Sequence, residues 1–156
     1  MLFRSSTTYT RPAEILQAQL RKIGINLEFE LMERAAFLSD VTSDCNYDIT
    51  LYMFTAGYTD ADYVLYGRLN SANIGGSNYL RYSNPEVDAL LNEARASSDS
   101  ELRKELYWKV SEYVRDEVPF IPIMTDNVCI AANSNLTGIM PNVNEAHYVF
   151  DYAWSN

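Results

Sequence analysis

The pattern of apolar and polar positions in the first third of the chain alternates between strand and helix periods. Residues 25–31 alternate strictly between apolar and polar side chains, which is typical of a half-buried strand. Residues 2–9 and the more apolar run 47–54 predict two further strands, the latter the more central. Helical spacing predicts helices over about 12–23 and 33–41. The order strand, helix, strand, helix, strand implies right-handed crossovers and a largely parallel sheet.

Two capped helices are predicted in the second half of the chain. Asn84 supplies a side-chain cap and Pro85 suits the first helical position, where its missing N–H costs nothing. Residues 98–101, Ser-Asp-Ser-Glu, match a capping box before the next helix. The expected buried faces are apolar: Val87, Leu90, Leu91 and Ala94 on the first helix, and Leu102, Leu106, Val110 and Val114 on the second.

Shorter elements are expected between and after these helices. A short helix over 63–69 and a turn-rich loop over 70–78 precede Asn84. Strands are expected at 120–124, 127–132 and 148–154, with a long loop over 133–146. Gly24 is expected to end the first helix in the left-handed conformation.

Composition limits the class of protein. The chain has 156 residues, of which 47% are hydrophobic, enough for one domain with a core. The formal net charge of −9 argues against a nucleic-acid partner and against an anionic membrane surface. No apolar run approaches the ~20 residues of a membrane helix, and no signal-peptide pattern is present.

The residues that could carry chemistry are few. Free buried thiols are favoured over a disulfide for Cys45 and Cys129, and no metal site or cofactor is expected from two distant cysteines and one histidine, His147. The sequence has no phosphate loop, nucleophile elbow or His-Glu-x-x-His pair, so we predict that it is not an enzyme. Asp60 and Asp62 follow the third predicted strand, where parallel sheets bind ligands. Capping or solvation is favoured for them over catalysis, with a ligand amine as the other partner they could take.

Several segments carry a family resemblance: residues 13–27 (AEILQAQLRKIGINL), 47–51 (YDITL) leading to Thr55 and Asp60-Ala61-Asp62, and 76–122. In this order and spacing they resemble the C-terminal third of the family 5 extracellular solute-binding proteins of peptide ABC importers. The resemblance implies an α/β fold, one lobe of a periplasmic-binding-protein type II-like fold, with a mostly parallel open sheet flanked by helices. Residues 1–156 would form a single domain, the C-terminal lobe portion, with about 133–156 returning toward the missing N-terminal lobe.

The same resemblance implies a function. Family members hold a peptide or other small solute between two lobes and deliver it to an ABC permease in the membrane. The parent protein would be periplasmic or extracellular, secreted or lipid-anchored, and this lobe alone would bind weakly. Peptide-binding members pair the ligand backbone with a strand end, which aligns here with residues near the end of the third predicted strand. The expected ligand-binding residues are Met53, Phe54, Thr55, Ala56, Gly57, Tyr58 and Asp60.

One departure from the family pattern bears on the ligand. Well-known peptide-binding members carry, two residues after the Thr55 position, an aspartate that holds the ligand's α-amino group. This chain has Gly57 there, so either Asp60 substitutes or the ligand is not anchored by its amine. Three alternatives stay open: another solute such as a nickel chelate, sugar or opine, an α/β hydrolase or transferase, and a self-associating structural role.

Overall fold

Short strands and longer helices make up the computed structural model, which describes residues 1–4, 6–54, 60–125, 129–140 and 152–154. A π-helical turn over Asp40–Asp44 and a 3-10 turn over Ser71–Asn73 accompany the main elements. In chain order these are β1 (Leu2–Arg4), α1 (Thr7–Arg21), β2 (Glu30–Met32), α2 (Arg34–Ser39), β3 (Thr50–Leu51), α3 (Ala61–Leu69), α4 (Pro85–Ala96), α5 (Ser100–Glu117), β4 (Leu136–Thr137) and β5 (Ala153–Trp154).

The first three strands form the predicted parallel sheet, in the order β2-β1-β3. The centre is β1, whose Leu2 and Phe3 are buried, so β3 lies at an edge and the prediction that it is the most central strand is wrong. The predicted strands are also shorter than expected. A strand extends only as far as it pairs with a neighbouring strand. Three residues of β1 pair with β2 and two pair with β3, which limits the length of these strands.

Helix α1 begins earlier than its proline predicts. Ser6 is the N-cap, its hydroxyl accepting from the Thr8 N–H at 3.4 Å, and Pro12 lies inside the helix. Residues predicted as the end of the first strand therefore form the first turn of α1. The predicted end is confirmed, because Gly24 has a φ of 84° and Ile25 N–H donates to the Leu20 carbonyl at 3.1 Å.

Helices α3, α4 and α5 pack together beside the sheet. The Asn84 side chain caps α4 as predicted, accepting from Glu86 N–H at 2.9 Å. The cap of α5 is Asp99 and not Ser98, because the Asp99 carboxylate accepts from both Glu101 and Leu102 N–H groups. The buried helical core consists of Leu69, Val87, Leu91 and Val110, and Leu80 packs against both this core and the sheet core of Leu2, Phe37, Val41 and Tyr79.

The segment after α5 differs from the prediction. Residues 121–125 and 129–132 are irregular and exposed, and Ile121 is 74% exposed, so these parts of the two strands expected there are absent. No described strand lies beside them, and a lone apolar segment does not form a strand. Instead β4, inside the predicted loop 133–146, pairs antiparallel with β5. The residues predicted as strand at 148–151 and 127–128 lie outside the described residues.

Two smaller expectations can be compared with the structure. Both cysteines are free as predicted, but Cys45 is half-buried and Cys129 exposed, so the expected burial is wrong. Among the described helices, none is long and apolar enough to cross a membrane.

Candidate functional site

The expected ligand-binding residues begin where β3 ends. Met53 is 48% exposed, and Phe54 is half-buried against the sheet core. Thr55, Ala56, Gly57 and Tyr58 lie outside the described residues. In the described part of the chain no strand pairs with the outer edge of β3, and an edge strand is the kind of element to which another strand can add.

A cluster of aromatic rings supports this strand end. The Tyr52 ring lies 5.3 Å from the Phe54 ring and 5.1 Å from the Tyr79 ring, measured between centroids. Phe54 and Tyr79 are nearly parallel, with centroids 6.0 Å apart. Phe37 from α2 stacks on Tyr52 at 5.8 Å. Ring contacts of this kind are worth about 0.5–1.5 kcal/mol each beyond burial, and they fix the direction in which the chain leaves the sheet.

The guanidinium of Arg68 covers the same rings from α3. Its central carbon lies 4.9 Å from the Phe54 centroid and 4.8 Å from the Tyr79 centroid. One terminal nitrogen donates to the Ser77 carbonyl at 2.7 Å. These contacts are cation–π interactions, strengthened by partial desolvation. Arg68 therefore links the strand end to α3 and to the loop that carries Ser77.

Asp60 has two structural partners. It is the N-cap of α3, accepting from the Asp62 N–H at 2.9 Å. Both carboxylate oxygens also accept from one terminal nitrogen of Arg103, at 2.6 Å each. The capping role matches the favoured expectation. An Asp60 already paired with an arginine has less charge to offer a ligand amine.

Asp62 and Arg95 form a second opposite-charge pair nearby. The Arg95 nitrogen lies 3.5 Å from an Asp62 oxygen, and the Arg95 guanidinium covers the Tyr66 ring at 3.9 Å. The Asp62 side chain is 19% exposed, whereas Arg95 is 54% exposed. The pair bridges α3 and α4 and closes one side of a cleft.

This cleft has a volume of about 480 Å³ and opens between α3 and the loop before α4. It is large enough for a side chain or a small solute. Its walls carry charged, amide, hydroxyl and aromatic groups: Asp60, Asp62, Tyr63, Tyr66, Gly67, Arg68, Asn73, Ser77 and Arg95.

Two tyrosines near the strand end have raised pKa values. Burial raises the pKa of Tyr79, an effect that the Arg68 guanidinium partly offsets. Burial also raises the pKa of Tyr47, whose hydroxyl donates to the Tyr79 carbonyl at 2.8 Å. Both tyrosines are therefore neutral at physiological pH and do not act as bases. No cluster of three metal-ligating side chains occurs among the described residues, which leave out His147.

Sequence reasoning missed Arg68, Tyr79 and the two arginines that pair with the aspartates. Arg95 and Arg103 lie on α4 and α5, far from Asp60 in sequence, and helical periodicity marks them only as outward-facing residues.

Comparison with known proteins gives the family of this chain. A model of the bacterial extracellular solute-binding proteins, family 5 Middle, matches residues 1–76. Heme-binding protein A of Haemophilus influenzae is 33% identical over 113 residues, which cover 72% of this chain and 20% of that protein. Glutathione-binding protein GsiB of Escherichia coli is 27% identical over 144 residues, covering 87% of this chain and 28% of that protein. The chain thus spans less than a third of either relative.

Solved structures agree with these matches. DppA of Helicobacter pylori, an ABC transporter-associated periplasmic binding protein in complex with the peptide STSA, matches with a TM-score of 0.71 and 28% identity, over 78% of this chain and 24% of that chain. The predicted type II periplasmic-binding-protein fold, a parallel sheet flanked by helices, is confirmed. The chain belongs to the family 5 bacterial extracellular solute-binding proteins.

Proposed function

We propose that this chain is part of the substrate-binding component of an ABC importer and that it binds an extended peptide along the open edge at the end of β3. The observation that carries the proposal is the outer edge of β3, with which no strand of the described residues pairs and which leads directly into the exposed Met53. A peptide that adds a strand there gains main-chain hydrogen bonds, which give affinity without reading side chains.

The packing around the strand end supports this choice. Phe54 is held by Tyr52, Tyr79 and Arg68, at ring and guanidinium distances of 4.9–6.0 Å. A fixed edge lowers the entropy cost of binding, because the protein orders little on contact. The ligand-binding residues that we propose are Met53 and Phe54 after β3, Asp60 at the start of α3, and Thr55, Ala56, Gly57 and Tyr58, which lie outside the described residues.

The whole protein would work by lobe closure. Residues 1–156 would be the C-terminal lobe portion of a two-lobe protein, with about 133–156 returning toward the other lobe. Closure around the ligand is a hinge motion driven by contacts with both lobes, after which an ABC permease receives the solute. The parent protein would act in the periplasm or outside the cell, in keeping with a family named extracellular.

A second candidate is the same machinery with another solute. The relatives are named for heme and glutathione, and the solved DppA holds a tetrapeptide. Glutathione is itself peptide-like, whereas heme is not, so the ligands named for these relatives include both peptide-like and other solutes. The β3 edge, with which no described strand pairs, favours the peptide.

Strand addition is tested by calorimetry on the two-lobe protein with tetra-alanine and with an analogue N-methylated at one backbone nitrogen. N-methylation removes one main-chain donor and keeps the side chains. Scanning the methyl group along the peptide should weaken binding by about fivefold or more at alternate positions, since a hydrogen bond contributes about 1 kcal/mol. Equal affinity for all analogues would contradict strand addition.

Amine anchoring is tested with free and N-acetylated tetra-alanine. Gly57 replaces the family's aspartate, and Asp60 is paired with Arg103. We therefore expect acetylation to change the dissociation constant by less than about threefold, well below the value of a charge-assisted hydrogen bond. A loss of tenfold or more that Asp60→Asn abolishes would assign the amine to Asp60.

A further inference from the structure

Two aspartates and two arginines line the cleft beside the strand end, and Arg103 from α5 adds a third arginine that pairs with one of the aspartates. Asp60 is paired with Arg103 at 2.6 Å, and Asp62 with Arg95 at 3.5 Å. Arg68 also lines the cleft, but among the described residues it has no carboxylate partner. With Arg103 counted, three arginines meet two aspartates here, in a chain whose formal net charge is −9.

Arg68 is also held in place. Its central carbon lies within 4.9 Å of the Phe54 and Tyr79 centroids, and one terminal nitrogen is fixed by the Ser77 carbonyl at 2.7 Å. A guanidinium has five N–H donors in a rigid fork that matches a carboxylate. Only one donor bond from Arg68 is made to a described residue. Because the side chain is already ordered, a ligand does not meet the cost of ordering it.

We propose that this cleft is an anion subsite, in which Arg68 binds a carboxylate side chain of the ligand. The inference rests on the proposed function in taking the carboxylate to belong to a peptide whose backbone lies along β3. The Ser77 hydroxyl lies in the same wall and is a second donor for the carboxylate. Phe54 contacts Arg68 directly, so the subsite adjoins the peptide edge.

Each of the two aspartates that line the cleft has an arginine partner. Both oxygens of Asp60 accept from Arg103, so its charge is compensated. One Asp62 oxygen lies 3.5 Å from an Arg95 nitrogen, and the other is buried without a hydrogen-bond partner among the described residues. Arg68 is then the cleft arginine that is not engaged by a described carboxylate.

The test uses two uncharged-backbone probes of equal shape, N-acetyl-glutamate amide and N-acetyl-glutamine amide. Each is titrated into the 15N-labelled chain, and the Nε–Hε resonance of Arg68 is followed by NMR. We expect the glutamate probe to bind at least about tenfold more tightly than the glutamine probe, as a charge-assisted hydrogen bond predicts. The preference should shrink at ~1 M salt, where screening acts over about 3 Å.

Three variants locate the effect. Arg68→Gln should abolish the preference for the acidic probe, and Arg68→Lys should keep part of it, because lysine retains the charge but not the fork. Arg115→Gln removes the same charge from a side chain that is 68% exposed and paired with Asp116, and it should leave the preference unchanged. Circular dichroism checks that each variant folds.

Equal binding of the two probes to the unaltered chain, no binding of either, or a preference that survives Arg68→Gln would each overturn the inference. None of these results depends on strand addition, because the probes carry no strand. Conversely, N-methyl analogues of tetra-alanine test the β3 edge without any carboxylate side chain. Their result therefore tests the proposed function independently of the anion subsite.

Discussion

Asn78 should be one of the most sensitive positions in the scaffold, although it contacts no ligand in the proposed function. Its side chain is fully buried and makes three hydrogen bonds. The amide nitrogen donates to the carbonyls of Asn70 at 3.0 Å and Tyr82 at 2.9 Å, and the amide oxygen accepts from the Tyr82 N–H at 3.3 Å. Asn78 thus joins the end of α3 to the segment that enters α4.

The cost of Asn78→Ala follows from these bonds. Each contributes about 1 kcal/mol net, so three bonds give about 3 kcal/mol, and the buried Asn70 carbonyl is left with less compensation. With a urea slope of about 2 kcal/mol per molar, the unfolding midpoint should fall by about 1.5 M. Urea titration followed by circular dichroism measures both quantities.

Two further variants sharpen the test. Asn92→Ala makes the same chemical change on an exposed position of α4, where the free energy of unfolding should change by less than about 0.5 kcal/mol. Asn78→Asp keeps the accepting oxygen but replaces the donating nitrogen with a second oxygen, which then faces two carbonyls. This variant should lower the free energy of unfolding at least as much as Asn78→Ala. The reasoning is refuted if Asn78→Ala costs less than about 1 kcal/mol or no more than Asn92→Ala.

Three other changes have defined outcomes. Tyr79→Phe should reduce the loss of folding free energy that occurs above pH 10. Burial raises the pKa of Tyr79 in the folded state, so the unfolded chain loses that proton first as the pH rises. Unfolding titrations at neutral and alkaline pH should show that the free energy of unfolding falls less steeply in the variant than in the unaltered chain, by up to about 1.4 kcal/mol per pH unit. Gly67→Ala should stabilise α3 by up to about 1 kcal/mol, since the added methyl lies 3.7 Å from the Ser77 hydroxyl, and thermal unfolding would detect a clash as a lower midpoint instead. Asp99→Ala should cost about 1 kcal/mol through loss of the α5 cap, and an unchanged urea midpoint would rule out the two capping bonds.

The helices were predictable because their signals are local. The Asn84-Pro85 start of α4 and the Gly24 end of α1 each depend on one or two residues and hold in the structure. The start of α1 was missed because Ser6 supplies a cap that outweighs the preference of Pro12 for the first turn. Ser98 and Asp99 are both good capping residues, and the N-cap of α5 is Asp99, one residue after the predicted one.

The strands were less predictable because pairing is not local. The run 47–54 is apolar enough for a central strand, yet β1 takes the centre and β3 pairs along two residues. The apolar residues Ile121 and Ile123 predict a strand, but without a described neighbour they lie exposed. The hydrophobic pattern indicates which residues prefer burial, but it does not indicate whether a neighbouring strand is present to pair with them.

The position of the ligand site on the sheet stays a prediction. The sequence predicts the carboxyl end of the third strand as the ligand edge, and in the structure Met53 and Phe54 follow β3. The charges that shape the adjoining cleft come from three helices, α3, α4 and α5, so no local motif contains them. Pairing of Asp60 with an arginine 43 residues away depends on the fold as a whole.

The most direct test of peptide binding is native mass spectrometry of the two-lobe protein, purified without refolding, with fragmentation of whatever ligand is released. The proposed function predicts released masses that break at amide bonds into peptide fragment series. A ligand that yields no amide-bond fragments, such as a heme or a metal chelate, would contradict it.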